Sequence, residues 1–197
     1  RNRMIHVSQR VRRLMSVIVA AFVGLVTLVG PGMAQAHADD SSSVKGKTFI
    51  IATDTTFAPF EYRDTSGEMV GIDMDLIHEI ATREGFKVDI KAIGFDAALQ
   101  AVQAKQADAV LSGMTITDER KKSVDFTGKY YHTPAKLAMK AGTEIKDPLV
   151  DLKGKKVGVQ RASIYDRYAT EMFAPAGVEV VRYSSQNEIF LDLTSGR

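Results

Sequence analysis

The stretch GFKVDIKAIGFDAALQAVQAKQADAVLSG, from Gly85 to Gly113, decides the fold. Residues 86–90 alternate between apolar and polar side chains, which predicts a strand. Asp96 is a candidate N-cap for a helix whose apolar positions begin at Ala97. The short apolar run from Ala107 to Leu111 is typical of a buried strand. A strand, a helix and a second strand in this order predict an α/β fold with a parallel sheet and a crossover helix.

The preceding residues extend the same pattern towards the N-terminus. Residues 49–52 form another short apolar strand run, and Asp54 to Pro59 reads as a loop. A helical pattern follows and is stopped by Gly85, a residue that favours the position just past a helix end; its apolar face is Ile72, Leu76, Ile77, Ile80 and Ala81. Ligands of such sheets bind beyond the carboxyl ends of the strands, so the loop after the first strand is a candidate site.

A second unit of the same kind follows downstream. Its predicted elements are a strand from Lys155 to Gln160, a helix from Ser163 to Phe173, a strand from Val178 to Tyr183 and a helix from Asn187 to Leu193. Residues 130–140 read as an extended crossing segment. We therefore expect a first lobe over 47–140, and a connection with a partial second lobe over 141–197. We also expect the apolar face of this second lobe to lack a partner, namely Val157, Val159, Val180, Ile189 and Leu191.

The N-terminal segment has the three parts of a secretory signal peptide. Arginines occupy five of the first 13 positions, and a 13-residue apolar or small run spans 17–29. A small-x-small sequence at residues 34–38 then offers cleavage after Ala36 or Ala38. A membrane anchor is the alternative, although spanning a bilayer usually takes about 18 apolar residues or more. The expectation is a signal peptide over 1–38, a polar tether over 39–46 and an exported protein.

Composition excludes several classes of function. Without the five leader arginines, 21 basic side chains face 24 acidic ones, so no basic excess remains to pair with nucleic-acid phosphates. Cysteine is absent, which removes disulfides, thiol nucleophiles and cysteine metal sites. The common hydrolase, metalloprotease and nucleotide-binding motifs do not occur, and we expect neither enzymatic activity nor a cofactor.

One helical cluster has the spacing of metal ligands. Asp75, His78 and Glu79 fall on one side of the predicted helix before Gly85. A solvated helix surface has the same composition, and a single histidine favours it over a metal site. The sequence therefore predicts no metal.

Two loop sequences carry a family resemblance. DTTFAPFEY, from Asp54 to Tyr62, follows the first strand, and SGMTITDER, from Ser112 to Arg120, follows the third. With GIDMDLIHEIA, from Gly71 to Ala81, they resemble the solute-binding proteins of polar amino-acid ABC importers. The resemblance extends over Lys47 to Arg197.

The resemblance implies a two-lobe periplasmic binding protein fold, each lobe a mostly parallel sheet with flanking helices. The second lobe is expected to be incomplete at Arg197, as in a chain truncated at the C-terminus. It also implies a monomer that captures a polar amino acid, basic or glutamine-like, between its lobes and delivers it to an inner-membrane ABC permease. Two alternatives stay open, namely a sensing or permease-fused binding domain and a periplasmic cyclohexadienyl dehydratase-like enzyme.

The resemblance assigns the ligand's charged head group to residues after the third strand. Arg120 matches the family arginine that holds the ligand carboxylate, for which a planar guanidinium is suited. Ser112, Gly113 and Thr115 match positions that contact the same head group. Without this context, Arg120 would read as part of a solvated charged run.

The resemblance assigns the ligand's side chain to residues of the first lobe. Phe57 and Phe95 match an aromatic pair that flanks the aliphatic stem, although each could be simple core. Asp54 matches an acidic residue that faces the distal group; its alternative is a local turn or cap. As a ligand contact, Asp54 favours an amide or basic side chain over an acidic one.

The second lobe departs from the family pattern. Relatives usually have a Gly-Thr-Thr or Gly-Thr-Ser turn after the strand, where this chain reads Gln160-Arg161-Ala162-Ser163-Ile164. Gln160 and Ser163 remain the predicted ligand-binding residues of this turn. The family's aspartate for the ligand ammonium would lie beyond Arg197.

Overall fold

The computed structural model describes residues 44–197, which lie in one compact unit. The predicted signal peptide and most of the predicted tether lie outside these residues. The strands are β1 Thr48–Thr53, β2 Thr56–Phe57, β3 Glu61–Arg63, β4 Met69–Val70, β5 Lys87–Ala92, β6 Ala109–Val110, β7 Lys156–Gln160 and β8 Glu179–Tyr183. The helices are α1 Ile72–Glu84, α2 Phe95–Gln103, α3 Pro148–Asp151, α4 Ile164–Tyr168 and α5 Gln186–Ser195.

The first lobe, from β1 to β6, is built on a three-stranded parallel sheet in the order β5-β1-β6. Helix α1 lies in the connection from β1 to β5 and helix α2 in that from β5 to β6, so both provide the crossovers that parallel strands need. Small residues let α2 pack closely on β1, in a buried cluster of Ala52, Ala98, Ala101 and Ala107. The α/β prediction is confirmed, and the C-terminal ends of β1 and β6 meet at one edge of the sheet.

The second lobe, from α3 to α5, contains two parallel strands, β7 and β8. The helical stretch predicted over 163–173 is composite, because α4 passes into one turn of π-helix at Ala169–Phe173 and then a 3₁₀ turn at Ala174–Ala176. Gly177, with φ of 88°, ends this segment and leads into β8.

The expectation of an unpartnered apolar face in the second lobe is wrong for three of its residues. Val159 is buried in a cluster with Leu152, Ala169, Phe173 and Val178, and Val157 and Val180 pack against that cluster. Each fully buried large apolar side chain contributes about 1.5–3 kcal/mol, so the cluster stabilises the lobe substantially. Leu191, by contrast, is 64% exposed.

Three local predictions need correction. The loop predicted at Asp54 to Pro59 contains β2, which joins β3 and β4 in a small antiparallel sheet. Asp96 lies inside α2, whose N-cap is Gly94. The buried face of α1 includes Asp73 and Met74, whereas Ile72 and Ile80 are each 40% exposed.

In residues 44–197 no helix is both long and apolar enough to span a bilayer.

Candidate functional site

Asp54 occupies the first position after β1 and is almost completely buried, at 1% exposure. Its Oδ1 accepts a hydrogen bond from the backbone N–H of Thr55 at 2.7 Å, and its Oδ2 accepts one from the hydroxyl of Thr56 at 3.4 Å. The local turn that was the alternative reading of Asp54 is therefore present. A contact from the second lobe is added to it, because Nε2 of Gln160 donates to Oδ2 at 2.8 Å.

The turn after β6 is fixed to the loop after β1. Ser112 is buried, and its Oγ accepts a hydrogen bond from the backbone N–H of Asp54 at 3.1 Å. Gly113 has a φ of 52°, and a Cβ at this position would lie 2.7 Å from Cε1 of Phe57. Glycine is thus required both by the backbone conformation and by the close approach of the ring.

The two predicted aromatic residues have different surroundings. Phe57 is half-buried and stacks on Phe60 with ring centroids 5.3 Å apart. Phe95 is only 8% exposed at the start of α2, and the guanidinium carbon of Arg120 lies 5.6 Å from its ring centroid. Phe95 is therefore both a buried residue and a cation–π partner of the predicted carboxylate-binding arginine.

Arg120 begins a 3₁₀ turn that spans Arg120–Lys122, and its side chain is half-buried. Nη1 donates to the carbonyl of Thr115 at 2.8 Å, and Nη2 donates to the carbonyl of Ala162, in the second lobe, at 3.0 Å. These two bonds leave further N–H donors of the guanidinium available. Burial, together with the nearby charge of Arg167, lowers the pKa of Arg120, and a bound anion would offset that cost.

The second-lobe residues sit at the end of β7. Gln160 is its last residue and is buried, with a second hydrogen bond to the carbonyl of Ser184 at 3.3 Å. Ser163 caps α4, its Oγ accepting from the backbone N–H of Asp166 at 3.1 Å. Ala162 between them adopts a left-handed φ of 62°, a backbone conformation that favours glycine.

These contacts bring the nine predicted residues into one connected region at the carboxyl ends of β1, β6 and β7. Asp54, Ser112 and Gln160 form one hydrogen-bonded group, and Arg120 joins Thr115, Phe95 and the turn before Ser163. A cavity of about 480 Å³ opens on one side of this region. Of the predicted residues only Arg120 and Ser163 line it, so that cavity does not coincide with the predicted ligand position.

The metal-like cluster on α1 is a solvated helix surface. Asp75, His78 and Glu79 are all exposed, and Glu79 pairs with Arg83 one turn further on. Over residues 44–197 no group of three or more potential ligands is arranged to hold a metal ion.

Sequence reasoning missed a buried acidic group behind the site. Glu61 and Asp73 have no exposed surface, Ser112 donates to Oε1 of Glu61 at 2.7 Å, and Tyr130 donates to Oδ2 of Asp73 at 3.0 Å. A signal was present, since Asp73 lies four residues before Ile77 and thus on the face of α1 that turns inward.

The sequence also did not indicate which residues join the two lobes. The backbone N–H of Gln186 donates to Thr56 Oγ1 at 3.1 Å, and Arg167 pairs with Glu119 at 2.9 Å. These partners lie at least 48 positions apart in the chain, beyond the reach of any local pattern.

Comparison with known proteins identifies the relatives of this chain. Residues 49–192 match the model of the bacterial extracellular solute-binding proteins, family 3. The L-arginine-binding protein of Pseudomonas aeruginosa is 48% identical over 153 residues, and the lysine/arginine/ornithine-binding periplasmic protein of Escherichia coli is 40% identical over 151 residues. In each case 77% of this chain covers 58% of the relative's length.

A solved structure agrees with these relatives. An ancestral arginine-binding protein bound to arginine superposes with a TM-score of 0.70 at 41% identity, and the match covers 76% of this chain and 66% of that one. Its α/β fold is that of a periplasmic binding protein, as the loop sequences predicted. Because the family match includes the sheets of both lobes and every predicted ligand-binding residue, this chain belongs to family 3 of the bacterial extracellular solute-binding proteins.

Proposed function

We propose that this protein binds a polar L-amino acid with a basic or glutamine-like side chain between its lobes and delivers it to an ABC importer in the inner membrane. The observation that carries the proposal is the buried carboxylate of Asp54. Among residues 44–197 no lysine, arginine or histidine forms an ion pair with it, and its hydrogen bonds come from neutral donors. A ligand cation supplies the missing countercharge, and a ligand amide supplies a further donor.

The opposite end of the ligand is assigned to Arg120. Its fork-shaped guanidinium suits a carboxylate, and its bond to Ala162 brings it against the second lobe. Binding then stabilises the contact between the lobes, which is how a binding protein couples ligand capture to closure. The names of the relatives, which include arginine- and lysine-binding proteins, agree with this ligand class.

Titration calorimetry on the full-length protein tests the ligand class. Arginine, lysine, ornithine, histidine or glutamine should rank above glutamate, aspartate and leucine. Asp54→Asn should weaken the binding of arginine by about 2 kcal/mol or more, which is roughly a 30-fold loss of affinity. The binding of glutamine should be weakened by less. Asp75→Asn is the matched control, because this acid is exposed on α1. Preference for glutamate in the unmodified protein would refute the assignment.

We infer a periplasmic location from the arginine-flanked apolar run and the Ala-x-Ala site of the leader. Expressed from Met4 in a Gram-negative host, the protein should be recovered from the periplasm with its N-terminus near His37 or Asp39. N-terminal sequencing decides this: an intact Met4 end in the membrane fraction would indicate an anchor instead.

A further inference from the structure

Two fully buried carboxyl groups lie behind the ligand-binding turn, one on β3 and one in the first turn of α1. Ser112 Oγ donates to Oε1 of Glu61 at 2.7 Å. Oδ2 of Asp73 accepts from the backbone N–H of Gly113 and from the hydroxyl of Tyr130, each at 3.0 Å. Each carboxyl group therefore holds one residue of the Ser112–Gly113 turn.

The remaining oxygen of each carboxyl group has no donor. Oε2 of Glu61 and Oδ1 of Asp73 are buried, and no hydrogen-bond partner for either atom exists among the described residues. Within residues 44–197 neither group has a lysine, arginine or histidine in an ion pair. Two buried charges without a countercharge cost far more than one proton placed between them.

The surrounding groups also disfavour a second negative charge. Within the described part of the chain, the ionisable groups that face Glu61 are Asp73, Asp54 and Tyr130, and none of them is basic. Burial first, and then the charge of Asp73, raise the pKa of Glu61 to about 9, although the hydrogen bond from Ser112 lowers it. A single proton on one of the two unpartnered oxygens makes that oxygen a hydrogen-bond donor and leaves the other as its acceptor.

We propose that Glu61 and Asp73 share one proton, with Oε2–H of Glu61 donating to Oδ1 of Asp73, and that the pair positions the ligand-binding turn. Through Ser112 the pair also fixes the backbone of Asp54, whose N–H donates to the same hydroxyl. Glu61 and Asp73 are thus positioning residues. This positioning role rests on the proposed function, whereas the shared proton does not.

The shared proton makes stability depend on pH in a defined direction. The pKa of Glu61 is raised from 4.5 to about 9 in the folded state. Its contribution to the stability of the fold is therefore complete below pH 4.5 and is lost as the pH rises to about 9. Between these limits the folded protein holds one proton more than the unfolded chain. Its folding equilibrium constant should therefore fall about tenfold per pH unit from this group.

Urea unfolding of the full-length protein between about pH 5.5 and 8.5 tests the proton. Per pH unit, the folding equilibrium constant of the wild type should fall about tenfold more than that of Glu61→Gln. The amide of the variant supplies the hydrogen at every pH. Glu68→Gln, an exposed acid before β4, is the matched control and should keep the wild-type slope. Equal slopes in wild type and Glu61→Gln would overturn the shared proton.

A measurement on the unmodified protein avoids dependence on the variant's folding. The infrared spectrum at pH 7 should contain the C=O stretch of a buried protonated carboxylic acid, shifted by isotope labelling of glutamate. A spectrum with carboxylate bands only would also overturn the proposal.

Ligand affinity separates positioning from the proton itself. Arginine affinity should stay within about threefold of wild type in Glu61→Gln, and fall at least tenfold in Glu61→Leu, which leaves Ser112 without its acceptor. Equal affinity in Glu61→Leu would overturn the positioning role. Failure of wild type to bind any amino acid would instead refute the proposed function, and the unfolding and infrared results would still decide the proton.

Discussion

Nε2 of Gln160 lies 2.8 Å from Oδ2 of Asp54, in a buried hydrogen bond between residues 106 positions apart. It joins the carboxyl end of β7 to that of β1, and thus the two lobes at the predicted ligand position. A buried carboxylate oxygen that loses a donor costs about 1–3 kcal/mol. Gln160→Met keeps the volume and removes the donor, so it should lower the free energy of unfolding by that amount in urea titrations.

The control for this prediction is a glutamine without a buried partner. Gln100 is exposed on α2, so Gln100→Met should change the free energy of unfolding by less than about 0.5 kcal/mol. Equal effects of the two substitutions would mean that the bond between Gln160 and Asp54 contributes nothing to stability.

Arg120 should be essential for ligand binding. In the full-length protein Arg120→Ala should lose about 2–5 kcal/mol of amino-acid binding free energy, because it leaves a desolvated carboxylate unpaired. Arg120→Lys should recover only part, since an ammonium lacks the planar fork. Calorimetry on both variants, with the exposed Lys121→Ala as control, checks this. Wild-type affinity in Arg120→Ala would mean that Arg120 does not bind the ligand and has only a structural role.

The sequence predicted the parts of the fold that depend on local pattern. The β5-α2-β6 unit follows from periodicity, and Gly85 ends α1 with a φ of 76° as its position suggested. The small β2-β3-β4 sheet was missed because its strands are two or three residues long, too short for alternation to be recognised.

The site could be predicted only in part, for a different reason. Its residues followed from loop sequences, but their pairing depends on tertiary packing. Glu61 and Asp73 are acids in a buried position, where composition alone predicts exposure. Their burial follows from the packing of β3 and α1 against the turn at Ser112 and Gly113; helical spacing indicates it for Asp73, whereas no local pattern indicates it for Glu61.

Ala162 offers a stabilising substitution within the second-lobe turn. Its φ of 62° costs an L-residue about 1–2 kcal/mol, which glycine avoids. Glycine also gives the unfolded chain more freedom, so the net gain from Ala162→Gly should be smaller, about 1 kcal/mol or less. Urea unfolding checks this against Ala104→Gly at the end of α2, where φ is −84° and glycine should destabilise.

The entry into α1 should tolerate no side chain at Gly71. Both Gly71, at φ of 123°, and Gly67, at φ of 89°, have left-handed backbone, so alanine is strained at either position. A Cβ at Gly71 would collide with the backbone carbonyl of Phe60, whereas no atom of residues 44–197 lies within 4 Å of a Cβ built at Gly67.

Backbone atoms cannot move aside as a flexible side chain can, and Phe60 O accepts the N–H of Asp73 at 2.9 Å. Gly67→Ala should therefore cost about 1–2 kcal/mol of stability from backbone strain alone. Gly71→Ala should cost at least about 2 kcal/mol more, because overpacking adds to the strain. Urea unfolding of the two variants compares their losses in the free energy of unfolding. Equal losses would show that the backbone at Phe60 moves aside at no cost in stability.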